Sequence, residues 1–265
     1  MGEKLGERMS EFGKQLLVVL VTAHFLGDFI FQSDADASSK RRPLILLKHA
    51  FITATSSYIL CGIWHLWQIP LVIFLTHGLT DYIKATLKKE SAYSFFLDQA
   101  VHLAIISAIA ILIASTKILS PNESSTFWVE LLGKGFLKYL ILTSGLIVVI
   151  KAGGILIGLA VKPFTDQLQK SGEGAIMKGV TSARGFENGG KVIGYLERSL
   201  IFLFILTGQP EGIGFLIAAK SILRFGEIKD HENRMEAEYI IIGTLMSFGY
   251  GIFIAYVTKF FLEKV

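Results

Sequence analysis

The stretch FFLDQAVHLAIISAIAILIAS, Phe95–Ser115, decides how this chain is read: its 21 residues carry a single charge, Asp98. As a helix rising about 1.5 Å per residue it covers the roughly 30 Å of hydrocarbon in a bilayer. Its leucines and isoleucines crowd every side instead of alternating with polar residues, which excludes a barrel strand. Composition agrees, because 52% apolar and only 18% charged residues over 265 positions is a balance that soluble domains rarely show.

Working outward, comparable runs cover Gln15–Gln32, Leu46–Leu66 and Ile69–Leu87 before it, and Phe136–Val161, Val192–Gly208, Gly212–Phe225 and Ala237–Phe261 after it. The expected fold is therefore all-α, a polytopic transmembrane bundle of about eight helices. The seventh is short and reads as a half-helix, a re-entrant element or a buried helix. Residues 1–14 alternate charge and read as a solvated or interfacial helix without a signal-peptide cleavage site. Residues 15–115 form a first four-helix block and 116–265 a second, with a polar, glycine-rich loop at 165–190 on which a lid could be built. Cys61 is alone, so no internal disulfide forms, and it reads as a small buried hydrophobe.

Lysines and arginines set the expected orientation. Lys40, Arg41 and Arg42, Lys88 and Lys89, then Lys162, Lys170, Lys178 and Arg184, then Lys229 and Arg234 fall in alternate connections. That side is expected to be cytoplasmic, with both termini outside. The modest basic excess is then a matter of topology and anionic lipid, and requires no nucleic acid.

The first block carries polar residues with a pattern. His24 and Asp28, His77 and Asp81, and Asp98 and His102 are each four apart, so each pair shares a helix face. His49 stands on the remaining helix. Given the orientation above, Asp28, His49, Asp81 and Asp98 fall about one turn inside the cytoplasmic ends, and His24, His77 and His102 about one turn deeper. Ionisable groups in a bilayer are costly and mark functional sites by default. Carboxylate with imidazole is also the donor set of a divalent metal, zinc best and manganese or iron acceptable. The same pairs could instead hold the bundle together by hydrogen bonds between helices. His65 and His231 fall at a turn and in a polar connection and read as solvated.

Three strings, HFLGDFIFQ (His24–Gln32), HGLTDYIK (His77–Lys84) and FLDQAVH (Phe96–His102), resemble an uncharacterised family of bacterial integral membrane proteins, domain of unknown function 3307. The late strings GGKVIGYLER (Gly189–Arg198), AAKSILRFGE (Ala218–Glu227) and AEYIIIGTLMSF (Ala237–Phe248) look like that family's second signature block. The resemblance implies a bacterial inner-membrane location and supplies no activity.

The late block has its own charges: Glu197 and Arg198 on the sixth helix, Lys220 and Arg224 on the seventh, and Glu227 and Glu238 around the next connection. They read either as an internal ion-pair network or as a pocket for phosphate or carboxylate. Gly154 and Gly158 suggest a close helix approach, and Gly189, Gly190 and Gly194 leave room at a helix start without a dinucleotide motif around them.

Three functions remain open. The first is a metal-dependent hydrolase acting at the cytoplasmic interface, its metal held by His24, His49, His77 and His102 with Asp28, Asp81 or Asp98, a spare aspartate serving as general base. Its substrate would be an anionic lipid or a phosphorylated amphipathic molecule held by Glu197, Arg198, Lys220, Arg224 and Glu238. The second is an ion- or proton-coupled transporter. The third is a structural or assembly protein whose polar network only locks the bundle.

Overall fold

The computed structural model describes residues 2–87, 90–115, 126–133, 135–170, 188–225 and 234–265, and among these every regular element is helical. In chain order they are α1 (Gly2–Phe29), α2 (Asp34–Ser38), α3 (Pro43–Cys61), α4 (Gln68–Leu87), α5 (Ala92–Ser115), α6 (Phe127–Leu132) and α7 (Gly135–Ile147). A π-helical segment (Val148–Ala152) leads straight into α8 (Gly153–Lys170), followed by α9 (Gly189–Leu206), α10 (Glu211–Phe225) and α11 (Arg234–Glu263).

Among the described residues, five helices are long and apolar enough to cross a bilayer: Glu11–Phe29, Pro43–Cys61, Ala92–Ser115, Gly135–Leu168 and Ala237–Glu263. The chain is thus a helical membrane protein by length and composition. Helix α10 is only 15 residues long. Helices α4 and α9 have the length, but α4 carries His77, Asp81 and Lys84, and α9 carries Lys191, Glu197 and Arg198.

Several boundaries depart from the sequence expectation. Helix α1 runs unbroken from Gly2, so the charged N-terminal segment and the first apolar run are one helix. Helix α3 stops at Cys61 and not at Leu66: Gly62 adopts φ 63° and its N–H bonds the carbonyl of Tyr58, the left-handed cap that glycine tolerates. Two short helices, α2 and α6, lie where connections were expected. Helix α8 continues through Pro163 to Lys170, beyond Val161. Residues 171–187, most of the 165–190 loop, lie outside the described residues, as do Lys88, Lys89, Lys178, Arg184, Glu227, Lys229 and His231.

The chain divides into two compact units, Met1–Ile147 with Leu262–Val265, and Val148–Phe261. In the first unit α3 packs on α4 and α1, and α1 packs on α5 and α7. Each helix buries a stripe spaced by about four residues: His49, Thr53, Ser57 and Cys61 on α3; Ile69, Ile73, His77 and Asp81 on α4; Asp98, His102, Ile106 and Ala110 on α5. One end of every stripe is apolar or hydroxylic and the other is histidine and aspartate. Leu16, Val19, Leu20, Ile73, Ile106 and Leu140 build the apolar core. The opposite faces show Leu47, Phe51, Leu75, Leu79, Ile111 and Leu112, as lipid contact requires.

At Gly27 α1 lies close against α3. A Cβ there would lie 2.5 Å from Thr53 Oγ1 and 3.1 Å from Thr53 Cβ, so only glycine fits without parting the helices. Farther along, Thr22 Oγ1 meets Ser144 Oγ at 2.8 Å and ties α1 to α7. Near the other end Trp128 Nε1 donates to the carbonyl of Ile59 at 2.7 Å, fixing α6 against α3.

The second unit has its own core of Val149, Ile201, Phe202, Ile205, Ile213 and Phe248. Its π segment inserts one extra residue into the helical ladder and releases carbonyls that need other donors. Arg198 supplies them: Nε donates to Val149 O at 2.7 Å, Nη2 to Ile150 O at 3.1 Å, and Nη1 to Ser247 Oγ at 2.9 Å. Tyr250 OH donates to Val148 O at 3.0 Å.

Candidate metal centre

The polar ends of these three stripes converge with a histidine and an aspartate of α1. His24 and Asp28 come from α1, His49 from α3, His77 and Asp81 from α4, and Asp98 and His102 from α5. All are buried: none of their side chains exceeds about 6% exposure among the ion-pair partners. The rings of His24, His77 and His102 pack on one another with centroids 4.4–5.5 Å apart, and His49 lies 4.9 Å from His77.

One triangle of atoms stands out. Asp28 Oδ1 is 3.3 Å from both His49 Nε2 and His77 Nε2, and the two nitrogens are 2.9 Å apart. A tetrahedral zinc with bonds of about 2.0–2.1 Å spaces its ligand atoms roughly 3.3 Å apart, so these edges match a three-ligand face. A second triangle shares the His49–His77 edge, with Asp81 Oδ2 at 3.3 Å and 3.7 Å from the two nitrogens.

Residues that spacing alone did not single out complete the surroundings. Gln99 donates from Nε2 to Asp28 Oδ2 at 3.3 Å and to Asp98 Oδ2 at 3.2 Å, and its Oε1 lies 3.2 Å from His24 Nε2. Lys40 Nζ sits 2.7 Å from Asp81 Oδ2, and Lys84 Nζ 2.6 Å from Asp98 Oδ2. Lys40 was legible only as an orientation signal. Lys84 and Gln99 stood inside the family-like strings, and their length lets them reach across helices. Beside the cluster, Lys48 bonds Asp36 Oδ2 at 3.0 Å in the α2 connection, and that hydrogen bond holds the Asp36 carboxyl below its ordinary range.

Among the described residues, no hydrogen bond reaches Asp28 Oδ1, Asp81 Oδ1, Asp98 Oδ1, His24 Nδ1 or either ring nitrogen of His102. Each such buried group costs about 1–3 kcal/mol if nothing satisfies it. So many in one place is a donor set facing inward, with the charge excess to match: three carboxylates face two lysines. On the apolar side a small crevice between α3, α4 and α5 reaches the histidines, walled by Thr53, Ser57, Thr76, Thr80 and the isoleucines of α4 and α5.

The late charged residues do not form one group. Lys220 Nζ pairs with Glu197 Oε2 at 2.7 Å, the internal pairing that was one of the two readings. Arg198 lies buried against the π segment and Ser247, with three of its donors engaged. Glu238 is exposed, and the side chain of Arg224 lies outside the described residues. Gly154 closes against the Tyr195 ring, whereas a Cβ at Gly158 or Gly190 would meet nothing within 4 Å. His65 is exposed at the turn after α3.

Against known families, residues 16–130 match the model described as "Protein of unknown function (DUF3307)". That segment, 115 of the 265 residues, is similar to the DUF3307 family. All seven converging histidines and aspartates fall inside the matched segment, as do Lys40, Lys84 and Gln99. The late strings of the second unit fall outside the match. Comparison with curated proteins finds no match, and comparison with solved structures finds none either.

Proposed function

We propose that the four-helix cluster within residues 16–130 is a membrane-embedded metal centre that hydrolyses an anionic amphipathic substrate, a lipid phosphoester foremost. The observation that carries this reading is the Asp28–His49–His77 triangle, whose edges of 3.3, 3.3 and 2.9 Å suit one divalent ion. Three protein ligands leave a fourth position for water, as catalytic zinc sites do. A bound ion would bring that water's pKa toward neutrality. Asp81, next to the same nitrogens, would take the water proton as general base. The water oxygen would then bond to phosphorus while the ester P–O bond breaks, and the departing alkoxide would recover a proton.

With an ion in place, Lys40 and Lys84 would be released from full duty on Asp81 and Asp98 and could face the substrate's anionic oxygens. The later set built on Glu197, Arg198 and Lys220 is engaged in its own unit, so the proposal takes its cations from the cluster. The basic connections favour a cytoplasmic position for the lysine end of the cluster, with both termini outside a bacterial inner membrane. A transporter would need ionisable groups at a second depth, and beyond the histidines the buried stripes of α3, α4 and α5 carry only apolar and hydroxyl side chains.

Elemental analysis of detergent-purified protein tests the centre, with wild type beside Asp28→Asn and His77→Ala and folding followed by size exclusion. Near-stoichiometric zinc, manganese or iron that falls in both variants, together with metal-dependent release of phosphate from lipid phosphoesters, supports the proposal. A protein that takes up no metal overturns it and leaves the polar network as scaffolding. Metal-independent flux in proteoliposomes that requires Asp28 would favour the transporter.

A further inference from the structure

A second triad lies beside the first. One carboxylate oxygen each from Asp81 and Asp98 and a ring nitrogen of His102 lie within 4.8 Å of one another, and all three residues are buried. Asp81 is 1% exposed, Asp98 7% and His102 3%. Asp81 Oδ1 is 3.7 Å from His102 Nε2. These are also atoms to which nothing donates and from which nothing accepts: Asp81 Oδ1, Asp98 Oδ1 and both nitrogens of His102 make no hydrogen bond among the described residues. The other oxygens are occupied, Asp81 Oδ2 by Lys40 and Asp98 Oδ2 by Lys84 and Gln99. Each carboxylate is thus held through one oxygen, while the other makes no hydrogen bond among the described residues.

We infer that the centre is binuclear: a second divalent cation binds Asp81 Oδ1, Asp98 and His102, and the Asp81 carboxylate, with Lys40 displaced from Oδ2, bridges it to the first ion; Asp81 is then a ligand and not the base, and the metal-bound water gives its proton to solvent. The two oxygens of Asp81 already point to different partners, Oδ2 to His49 and His77 and Oδ1 to His102, as a bridging carboxylate must. Ions that share a carboxylate stand about 3.5–4 Å apart, the separation at which two metals clamp the attacking and leaving oxygens of an in-line displacement at phosphorus. Charge points the same way. With neutral imidazoles, three aspartates and two lysines leave the cluster one negative charge in excess; one dication reverses that by a single charge, whereas two give an excess that suits a phosphate dianion with a hydroxide. The inference rests on the metal reading above and deepens it to phosphoester chemistry.

The test uses the full chain in detergent, stripped with chelator and titrated with Mn²⁺, with stoichiometry from equilibrium dialysis and electron paramagnetic resonance on the loaded protein. The expected result is two Mn²⁺ per chain with a spin-coupled signal, falling to one Mn²⁺ and an uncoupled six-line signal in Asp98→Asn and His102→Gln. One Mn²⁺ per chain at saturation, or two without spin coupling, overturns the bridged pair and leaves the single-metal centre standing. No Mn²⁺ at all overturns both. The wild-type stoichiometry and signal decide the matter even where a variant does not fold.

Discussion

Replacing Gly27 with alanine should weaken the metal centre without touching a ligand. The added methyl would sit 2.5 Å from Thr53 Oγ1, 3.1 Å from Thr53 Cβ and 3.2 Å from Thr53 Cγ2, where ordinary contact begins at 3.4 Å. Turning Thr53 relieves the hydroxyl clash, but no rotamer moves its Cβ, and leaving its present rotamer costs the bond from Oγ1 to the carbonyl of His49 at 3.2 Å. Helices α1 and α3 must therefore part by a few tenths of an ångström up to roughly 0.9 Å, an overpacking strain of about 1–3 kcal/mol. Asp28 rides on α1 next to Gly27 and His49 on α3, so their 3.3 Å edge opens by the same amount. Metal–ligand distances tolerate only about 0.2 Å, and Mn²⁺ affinity should drop about 10- to 100-fold, the scale of losing a supporting contact. Isothermal titration of stripped Gly27→Ala against wild type measures this, and the pair Gly27→Ala with Thr53→Ala should recover part of the loss, since only the Cβ contact remains. Wild-type affinity in the single variant, or no recovery in the pair, would refute the view that this helix approach sets the spacing of the centre.

Other outcomes can be stated more briefly. His49→Ala removes a corner of both triangles of the first site, and metal content by elemental analysis should fall by about one ion per chain while the elution volume stays unchanged. Metal occupancy should also decline as pH is lowered from 7 toward 5, because protons compete for the imidazoles that must be neutral to bind; a flat titration would deny histidine ligation. Lys40→Met leaves Asp81 buried without its cation, so the metal-free protein should lose about 3 kcal/mol of stability, yet bind Mn²⁺ about tenfold more tightly with a competing charge removed; both appear in melting curves with and without metal. Arg198→Leu strands the carbonyls of Val149 and Ile150 and should cost about 2–5 kcal/mol with no change in metal stoichiometry, which thermal melting and dialysis together would verify.

The helices were legible because lipid permits so little else: a run such as Phe95–Ser115 has no partner for its backbone except itself. The residue pairs were legible for a related reason, since a four-residue spacing fixes a shared face. Contacts that cross between helices were not. Gln99 follows Asp98 directly, which puts the two on different faces, yet its long amide bonds that neighbour and also crosses to Asp28 on α1. Lys40 counted as a basic loop residue, but its four-carbon stem carries the ammonium in to Asp81, the reverse of the usual outward reach of lysine. The end of α3 was missed because Ile63, Trp64 and Leu66 are as apolar as the helix before them, and only the left-handed turn at Gly62 marks the stop. The π segment left no mark in its own residues, since VVIKA could belong to any apolar helix; its trace is a buried Arg198 that needs acceptors.

The hydroxyls along the crevice face their own helices. Thr53 donates to His49 O, Ser57 to Thr53 O, Thr76 to Val72 O and Thr80 to Thr76 O, at 2.8–3.2 Å. With every donor spent inward, that wall offers visitors only lone pairs. If the cluster is the proposed hydrolytic centre, the wall would sort traffic by hydrogen-bond sense: water would donate to these lone pairs, while an anion would find no hydroxyl donor there. The ammonium groups of Lys40 and Lys84 stand on the aspartate side, one turn the other way along α4 and α5. Reactants of opposite character would therefore enter by separate doors, so that widening or plugging the crevice should change the supply of water and leave the capture of an anion untouched.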